Sequence, residues 1–244
     1  MILCIETAAE YCSVAIAHEG KTVAFAEEMR ENSHATTLTL LIQQALAQAK
    51  ITARDLVAVA VSAGPGSYTG LRIGAATAKG IAYANDIPLI AVPTLQAVAV
   101  GAIAVSSEQS AVGSEQLPTA NGKLYLPMLD ARRMEVYMAA YNENGTELAA
   151  AEPFIITNEN FSAYLERYDL AKYTQIVVCG NGATKAKTVL ENFNINYLFN
   201  NCTSIYMSQI ATDLYDDKKT ENIAYFEPNY VKAVNITVAK PKNI

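Results

Sequence analysis

The chain contains no tryptophan and only two histidines, His18 and His34, among its 244 residues. A zinc or iron site built from paired imidazoles on one helix face is thereby excluded: the residue four positions after His34 is Leu38, not a second histidine. Charge is also scarce. Asp, Glu, Lys and Arg make up 17% of the chain, against about 25% in an average soluble domain. The 24 acidic residues outnumber the 18 basic ones, and no basic run occurs, which argues against a nucleic-acid-binding protein acting alone. Cys4, Cys12, Cys179 and Cys202 form no CxxC pair and sit beside apolar residues, so buried free thiols in a reducing compartment are expected. The longest apolar run, 95–105, falls short of the ~18 residues needed to span a bilayer. Met1 leads directly into an apolar strand with no charged leader. The expectation is a soluble, cytoplasmic protein with no membrane contact.

What is abundant is apolar side chain, at 51% of residues. The chain opens with a strand at 2–7 and a hairpin, 13–17 and 22–27, turning at His18-Glu19-Gly20-Lys21. Leu38, Leu41, Ile42, Ala45 and Ala49 recur at helical spacing and define helix one. A continuous apolar strand at 56–63 runs into Gly64-Pro65-Gly66-Ser67-Tyr68-Thr69, helix two (70–85), a strand at 88–92 and helix three, ending near Val105. Residues 106–122 are rich in Ser, Glu and Gln and are expected to be an exposed linker or insertion. Strands at 124–131 and 135–141 then flank the turn Arg132-Arg133-Met134. A strand at 153–156, a helix at 159–168, a strand at 175–179 and helices at 184–193 and 204–216 complete a second series. The two series echo each other, so an α/β fold made by duplicating a whole unit, with mixed sheets and crossover helices, is expected. The divisions are 1–105, the linker 106–122, 123–218, and an irregular tail 219–244 that packs back on the body.

The glycine-rich stretch 64–70 has two readings. A turn between a buried strand and a helix points backbone N–H groups at an anion, but the spacing fits neither a P-loop nor GxGxxG, and Ser67 lacks the frame of a nucleophile elbow. The other reading is a tight turn. Within helix two, Gly70, Gly74, Ala78 and Ala82 fall in one row. Glycines in a helix interior cost about 1 kcal/mol each relative to alanine, and a smooth row lets another helix approach closely. Ile73, Ala76 and Gly80 form a second apolar face. One face must meet the chain's own sheet; the other meets helix one, a second protein, or both. The row is assigned to the partner interface, together with Thr36, Leu40, Gln43 and Ala47 of helix one. No catalytic set or metal site stands out. Glu6, Thr7, Gly66, Ser67 and Arg132 are candidate anion or nucleotide contacts, with strand-end hydrogen bonding and a charged hairpin turn as the plain alternatives at Glu6 and at Asp130–Arg133.

Several blocks now resemble a known family. They are Ile2-Leu3-Cys4-Ile5-Glu6-Thr7-Ala8 with Cys12-Ser13-Val14-Ala15, Ser33-His34, Gly64-Pro65-Gly66-Ser67-Tyr68-Thr69-Gly70-Leu71-Arg72-Ile73-Gly74 with Ala78-Lys79-Gly80, Asp130-Ala131-Arg132-Arg133-Met134-Glu135-Val136-Tyr137, and Pro228-Asn229-Tyr230-Val231-Lys232. Spread over nearly the whole chain, they are similar to the bacterial TsaB (YeaZ-type) family, formerly called glycoprotease-like. The resemblance implies a duplicated ASKHA (actin/hexokinase/Hsp70-like) fold. It further implies a non-catalytic scaffold for the TsaD catalytic subunit in making threonylcarbamoyladenosine on tRNA, with the ATPase TsaE joining the complex. Helices one and two would form the TsaD contact and, alone, a homodimer. No cofactor of its own is implied; ATP or ADP would sit at the heteromeric interface, and tRNA would be met through the complex. Glu6 stands where the family more usually has Asp, and Asn181 replaces an acidic residue in the Gly-x-Gly-Ala turn. Both belong to nucleotide-contacting loops in active ASKHA members, so independent ATP turnover is not expected. The alternatives are a stand-alone ATP-using or metallopeptidase-like enzyme and a homodimeric scaffold for another partner.

Overall fold

The computed structural model describes residues 1–30, 34–111, 122–173 and 175–232. β1 (Ile2–Glu6) is apolar up to its last residue and buried along its whole length. It pairs antiparallel with β2 (Cys12–His18) and parallel with β4 (Ala58–Ser62), Cys4 lying opposite Ala15 and Ala60. With β3 (Lys21–Glu28) and β5 (Leu89–Val92) these strands make a five-stranded sheet in the order β3-β2-β1-β4-β5. Central strands buried on both faces have no polar side to alternate with, which is why β1 and β4 read as apolar runs.

The second half repeats this plan. β6 (Lys123–Asp130), β7 (Glu135–Asn142), β8 (Glu147–Ile155), β9 (Gln175–Cys179) and β10 (Ile195–Leu198) form a sheet in the order β10-β9-β6-β7-β8. In each half the first strand pairs antiparallel with the second and parallel with the fourth. Identical connectivity in both sheets makes this a duplicated α/β fold of ASKHA type.

Helices fill three layers. On the outer face of the first sheet lie α1 (His34–Ala49) and α2 (Tyr68–Asn85), which touch each other. Leu38, Leu41, Ile42 and Ala45 of α1 and Ala75, Ala78 and Ala82 of α2 join Leu3, Ile5, Val59 and Val61 in one core. α4 (Asn158–Arg167) and α5 (Ala183–Lys187) cover the outer face of the second sheet. Between the sheets lie α3 (Thr94–Ala111) and α6 (Met207–Asp216).

Several expectations change. α3 runs on through 106–111, so the first part of the expected linker is helical; the rest, 112–121, lies outside the described residues. Residues 184–193 form only a short helix, because β10 must begin at Ile195 to pair with β9. α6 follows the second half in sequence but packs on the first sheet, setting Met207, Ile210 and Ala211 against Ile2, Cys4, Ala15 and Ala17. Of the tail, Glu221 bridges to Leu89 and Lys79 Nζ donates to the carbonyls of Ala224 and Phe226 at 3.2 and 3.1 Å. Residues 233–244 lie outside the described residues.

Candidate functional site

β1 ends in Glu6 and Thr7, and the loop that follows is pressed against the glycine-rich turn 64–70. Ser67 N–H donates to the Ala8 carbonyl at 2.6 Å, and Ser67 Oγ caps α2 by accepting from Gly70 N–H at 3.3 Å. Thr94 holds the turn from the other side: its N–H donates to the Gly64 carbonyl and its hydroxyl accepts from Gly64 N–H, at 3.0 and 3.1 Å. The tail adds a third clamp, Asn229 N–H to the Ala63 carbonyl at 2.7 Å.

This packing accounts for the glycines. A Cβ on Gly70 would lie 2.0 Å from the Thr7 carbonyl oxygen, and one on Gly74 would lie 2.2 Å from Thr7 Oγ1. The row Gly70, Gly74, Ala78 and Ala82 is therefore not a partner surface. It is buried, it faces the end of β1 and the sheet, and its smoothness lets α2 sit against the chain's own backbone. The opposite side of α2 is the open one. A Cβ on Gly80 would meet nothing within 4 Å; Arg72, Ala76 and Gly80 are exposed, and Tyr83 is 80% exposed. Thr36, Leu40, Gln43 and Ala47 of α1 are exposed as well, Leu40 at 55%. The face of α2 that joins them is Ile73, Ala76, Gly80 and Tyr83, not the glycine row.

Helix α1 reads HATTLTLLIQQALAQA and carries no Asp, Glu, Lys or Arg. An outward helix of this length on an ordinary surface would show roughly one charged residue in every three or four exposed positions. Its single histidine is buried, with Nε2 3.1 Å from the Ala9 carbonyl.

Of the candidate anion contacts, Glu6, Thr7, Gly66 and Ser67 lie together where the end of β1 meets the turn 64–70, and Arg132 lies apart on the β6–β7 turn. Glu6 and Thr7 are fully buried. Glu6 Oε1 accepts from Ala8 N–H at 2.5 Å, while Oε2 and Thr7 Oγ1 have no hydrogen-bond partner among the described residues. Burial raises the Glu6 carboxyl above its usual range, outweighing the Ala8 N–H hydrogen bond and the nearby polar groups of Cys202, Ser62 and Thr7 that pull the other way. Ser67 and Arg132 are exposed, Ser67 with its hydroxyl committed to the α2 cap and Arg132 on the β6–β7 turn. Several backbone donors at these loops are spent within the chain. The N–H groups of Ala8, Ser67 and Gly70 are already committed, and in the second half Gly180 N–H donates to Asn200 Oδ1 and Gly182 N–H to the Met128 carbonyl. Asn181 accepts from Asp130 N–H at 3.0 Å. Thr94, Asn229 and Lys79 were missed in the sequence; each acts on a backbone group distant in the chain, and no local pattern marks that.

Among the described residues no three His, Cys, Asp or Glu side chains come together to hold a metal ion, and no helix is long and apolar enough to cross a membrane.

A family model described as "TsaD: tRNA N6-adenosine threonylcarbamoyltransferase" matches residues 26–225. Curated relatives named "tRNA threonylcarbamoyladenosine biosynthesis protein TsaB" include one from Escherichia coli, 36% identical over 59% of this chain and 57% of its own length. The chain belongs to that family, on its TsaB (YeaZ-type) branch. The Bacillus subtilis TsaB is 31% identical over 59% of this chain and 56% of its own length. Thus the chain matches the first such relatives over little more than half their length, whereas a Buchnera aphidicola TsaB aligns at 26% identity over 89% of this chain and 92% of its own. The fold of "YeaZ from Pseudomonas aeruginosa" superposes with a TM-score of 0.69 at 22% identity, covering 94% of this chain and 98% of that one. In the TsaB family context, the blocks that carry the resemblance are the packed loops around Glu6, 64–70 and Asp130–Arg133.

Proposed function

We propose that this chain serves the formation of threonylcarbamoyladenosine on tRNA as a non-catalytic docking subunit for a TsaD-type protein. The observation that carries the proposal is the charge-free outer side of α1. Interface cores are depleted of Lys, Asp and Glu and enriched in aromatics; Leu40, Gln43 and Ala47 with Ile73, Ala76, Gly80 and Tyr83 carry no charge and one exposed aromatic. Gly80 offers a partner helix close approach at a point where nothing in this chain uses it. Two copies of the chain would pair through the same face, so a homodimer and the TsaD-type contact compete for it. A TsaE-type ATPase joins the resulting complex, and any ATP or ADP lies between subunits, since the strand-end loops of this chain are closed by their own packing.

Gly80→Arg tests the proposal. A Cβ at this position meets no atom within 4 Å, so the fold is kept and its melting temperature is at least that of wild type, while close docking is blocked. Co-purification with the TsaD-type protein and dimer formation on size exclusion should both be lost. If Gly80→Arg still co-purifies at wild-type yield, α1 and α2 are not the docking face.

A further inference from the structure

From the first turns of α2, at the end of the exposed row Arg72, Ala76 and Gly80, cations gather on a ridge that crosses from one half of the molecule to the other. At the start of α2, Arg72 lies 5.3 Å over the Tyr68 ring and donates to its hydroxyl. The Tyr68 ring stands 4.9 Å from that of Tyr230 in the tail. Lys232, next along the tail, pairs with the Glu135 carboxylate at 2.7 Å. Glu135 closes the β6–β7 turn, on which Arg132 and Arg133 are exposed, and Lys185 pairs with Asp130 at the base of that turn.

The local charge runs against that of the whole chain, which is −6. Asp130 and Glu135 are neutralised by lysines, and Glu227 supplies the remaining negative charge beside Tyr230. The guanidinium groups of Arg72, Arg132 and Arg133 have no carboxylate partner among the described residues. The turn itself is informative. Arg132 and Arg133 have φ of 71° and 52° within the connection 131–134 between β6 and β7, the left-handed region that Gly and Asn fill most easily. Arginine at both positions is unfavourable for the backbone, and a retained outlier of this kind points to a use for the side chains.

From these features we infer that the ridge Arg72–Tyr68–Tyr230–Arg132–Arg133 contacts RNA, its guanidinium forks on phosphates and its tyrosine pair against bases or ribose. The inference rests on the proposed role in a complex that modifies tRNA, and it names a part of this chain that touches the RNA directly. An acidic protein surface would use the same cations but has no need of the aromatic pair.

The test is the double variant Arg132→Asn/Arg133→Gly, which suits the turn's backbone and leaves α1 and α2 untouched. Transfer RNA binding is measured by anisotropy across a salt series, for the chain alone and for its complex with the TsaD-type protein, with co-purification scored separately. The variant should co-purify normally. Its RNA affinity should fall on the order of tenfold at about 0.1 M salt, and the slope of log K against log salt should shrink by roughly 1.4–1.8. Unchanged affinity and slope would overturn the inference, as would a wild-type chain whose addition brings no RNA contact in either form. Loss of co-purification with RNA binding retained would reassign the ridge to a protein partner. If the wild type never co-purifies, the docking proposal falls, and the RNA inference is judged on the chain alone.

Discussion

Alanine at Gly70 and alanine at Gly80 are the same chemical change on the same helix, and they should move stability in opposite directions. At Gly70 the new Cβ would sit 2.0 Å from the Thr7 carbonyl oxygen and 3.2 Å from its carbonyl carbon. Both are backbone atoms at the end of a fully buried strand, so relief requires α2 or β1 to shift. Overpacking a tight core costs typically 1–3 kcal/mol. Gly70 lies in the first turn of α2, where the helix gains little from alanine, so the net loss should be about 2–3 kcal/mol. For a chain of this size, that is a fall in melting temperature of roughly 5–10 °C. At Gly80 nothing lies within 4 Å, and alanine in a helix interior gains up to ~1 kcal/mol over glycine, a rise of about 2–4 °C. Gly74→Ala falls between: its Cβ meets Thr7 Oγ1 at 2.2 Å, a side-chain atom, and the helical gain offsets part of the clash. Thermal and urea denaturation of the variants decide the matter. A Gly70→Ala protein as stable as wild type would refute the view that these glycines serve packing within the chain.

Further outcomes follow from the same packing. The Glu6 carboxyl, fully buried, is raised above its ordinary value of 4.5 chiefly by desolvation. The folded state therefore holds this proton more tightly than the unfolded chain does, and the associated stability is lost as pH rises above the ordinary carboxylate range through the folded value. Glu6→Gln should flatten the decline of melting temperature between about pH 5 and 8; an unaltered decline would mean the buried carboxyl is not its source. Burial pushes the Cys4 and Cys12 thiols up to about 12 and raises those of Cys179 and Cys202 as well. Iodoacetamide should modify none of the four in the native protein and all of them in denaturant, as read by mass spectrometry. Arg132→Asn/Arg133→Gly should raise stability by about 1–2 kcal/mol in urea titration, because each left-handed arginine is held at a cost; a loss would show that the guanidinium groups brace the turn.

The strands were legible because burial on both faces leaves one pattern, a short run of Ile, Leu, Val and Ala. The duplication was legible because both halves repeat that pattern in the same order. The side of α2 that meets the sheet was not. Its two small-residue faces, Gly70–Gly74–Ala78–Ala82 and Ile73–Ala76–Gly80, are alike in composition, and the choice between them depends on Thr7, sixty-odd residues away in sequence and brought there by the parallel pairing of β1 with β4. The extension of α3 through 106–111 was missed because Ser, Glu and Gln suit an exposed helix turn as well as a linker. Return of α6 to the first sheet could not be read locally either: an amphipathic helix states that it has a buried side, not which sheet covers it.

On the proposed docking role, the two faces of α2 explain how one helix can be glycine-rich and still serve a partner. Gly70 and Gly74 hold its first turns against the end of β1 at Thr7, and Ser67, Thr94 and Asn229 lock that contact from three separate segments. A helix seated this firmly presents Ala76, Gly80 and Tyr83 at a fixed height above the sheet, next to an α1 that has no charge to desolvate. Docking against a pre-set surface avoids the ordering cost that a loop would carry into the complex. Closing the strand-end loop and stiffening the docking face are therefore one structural act. A change that reopens the loop, such as Gly70→Ala, should weaken partner binding through α2 although Gly70 itself never touches the partner.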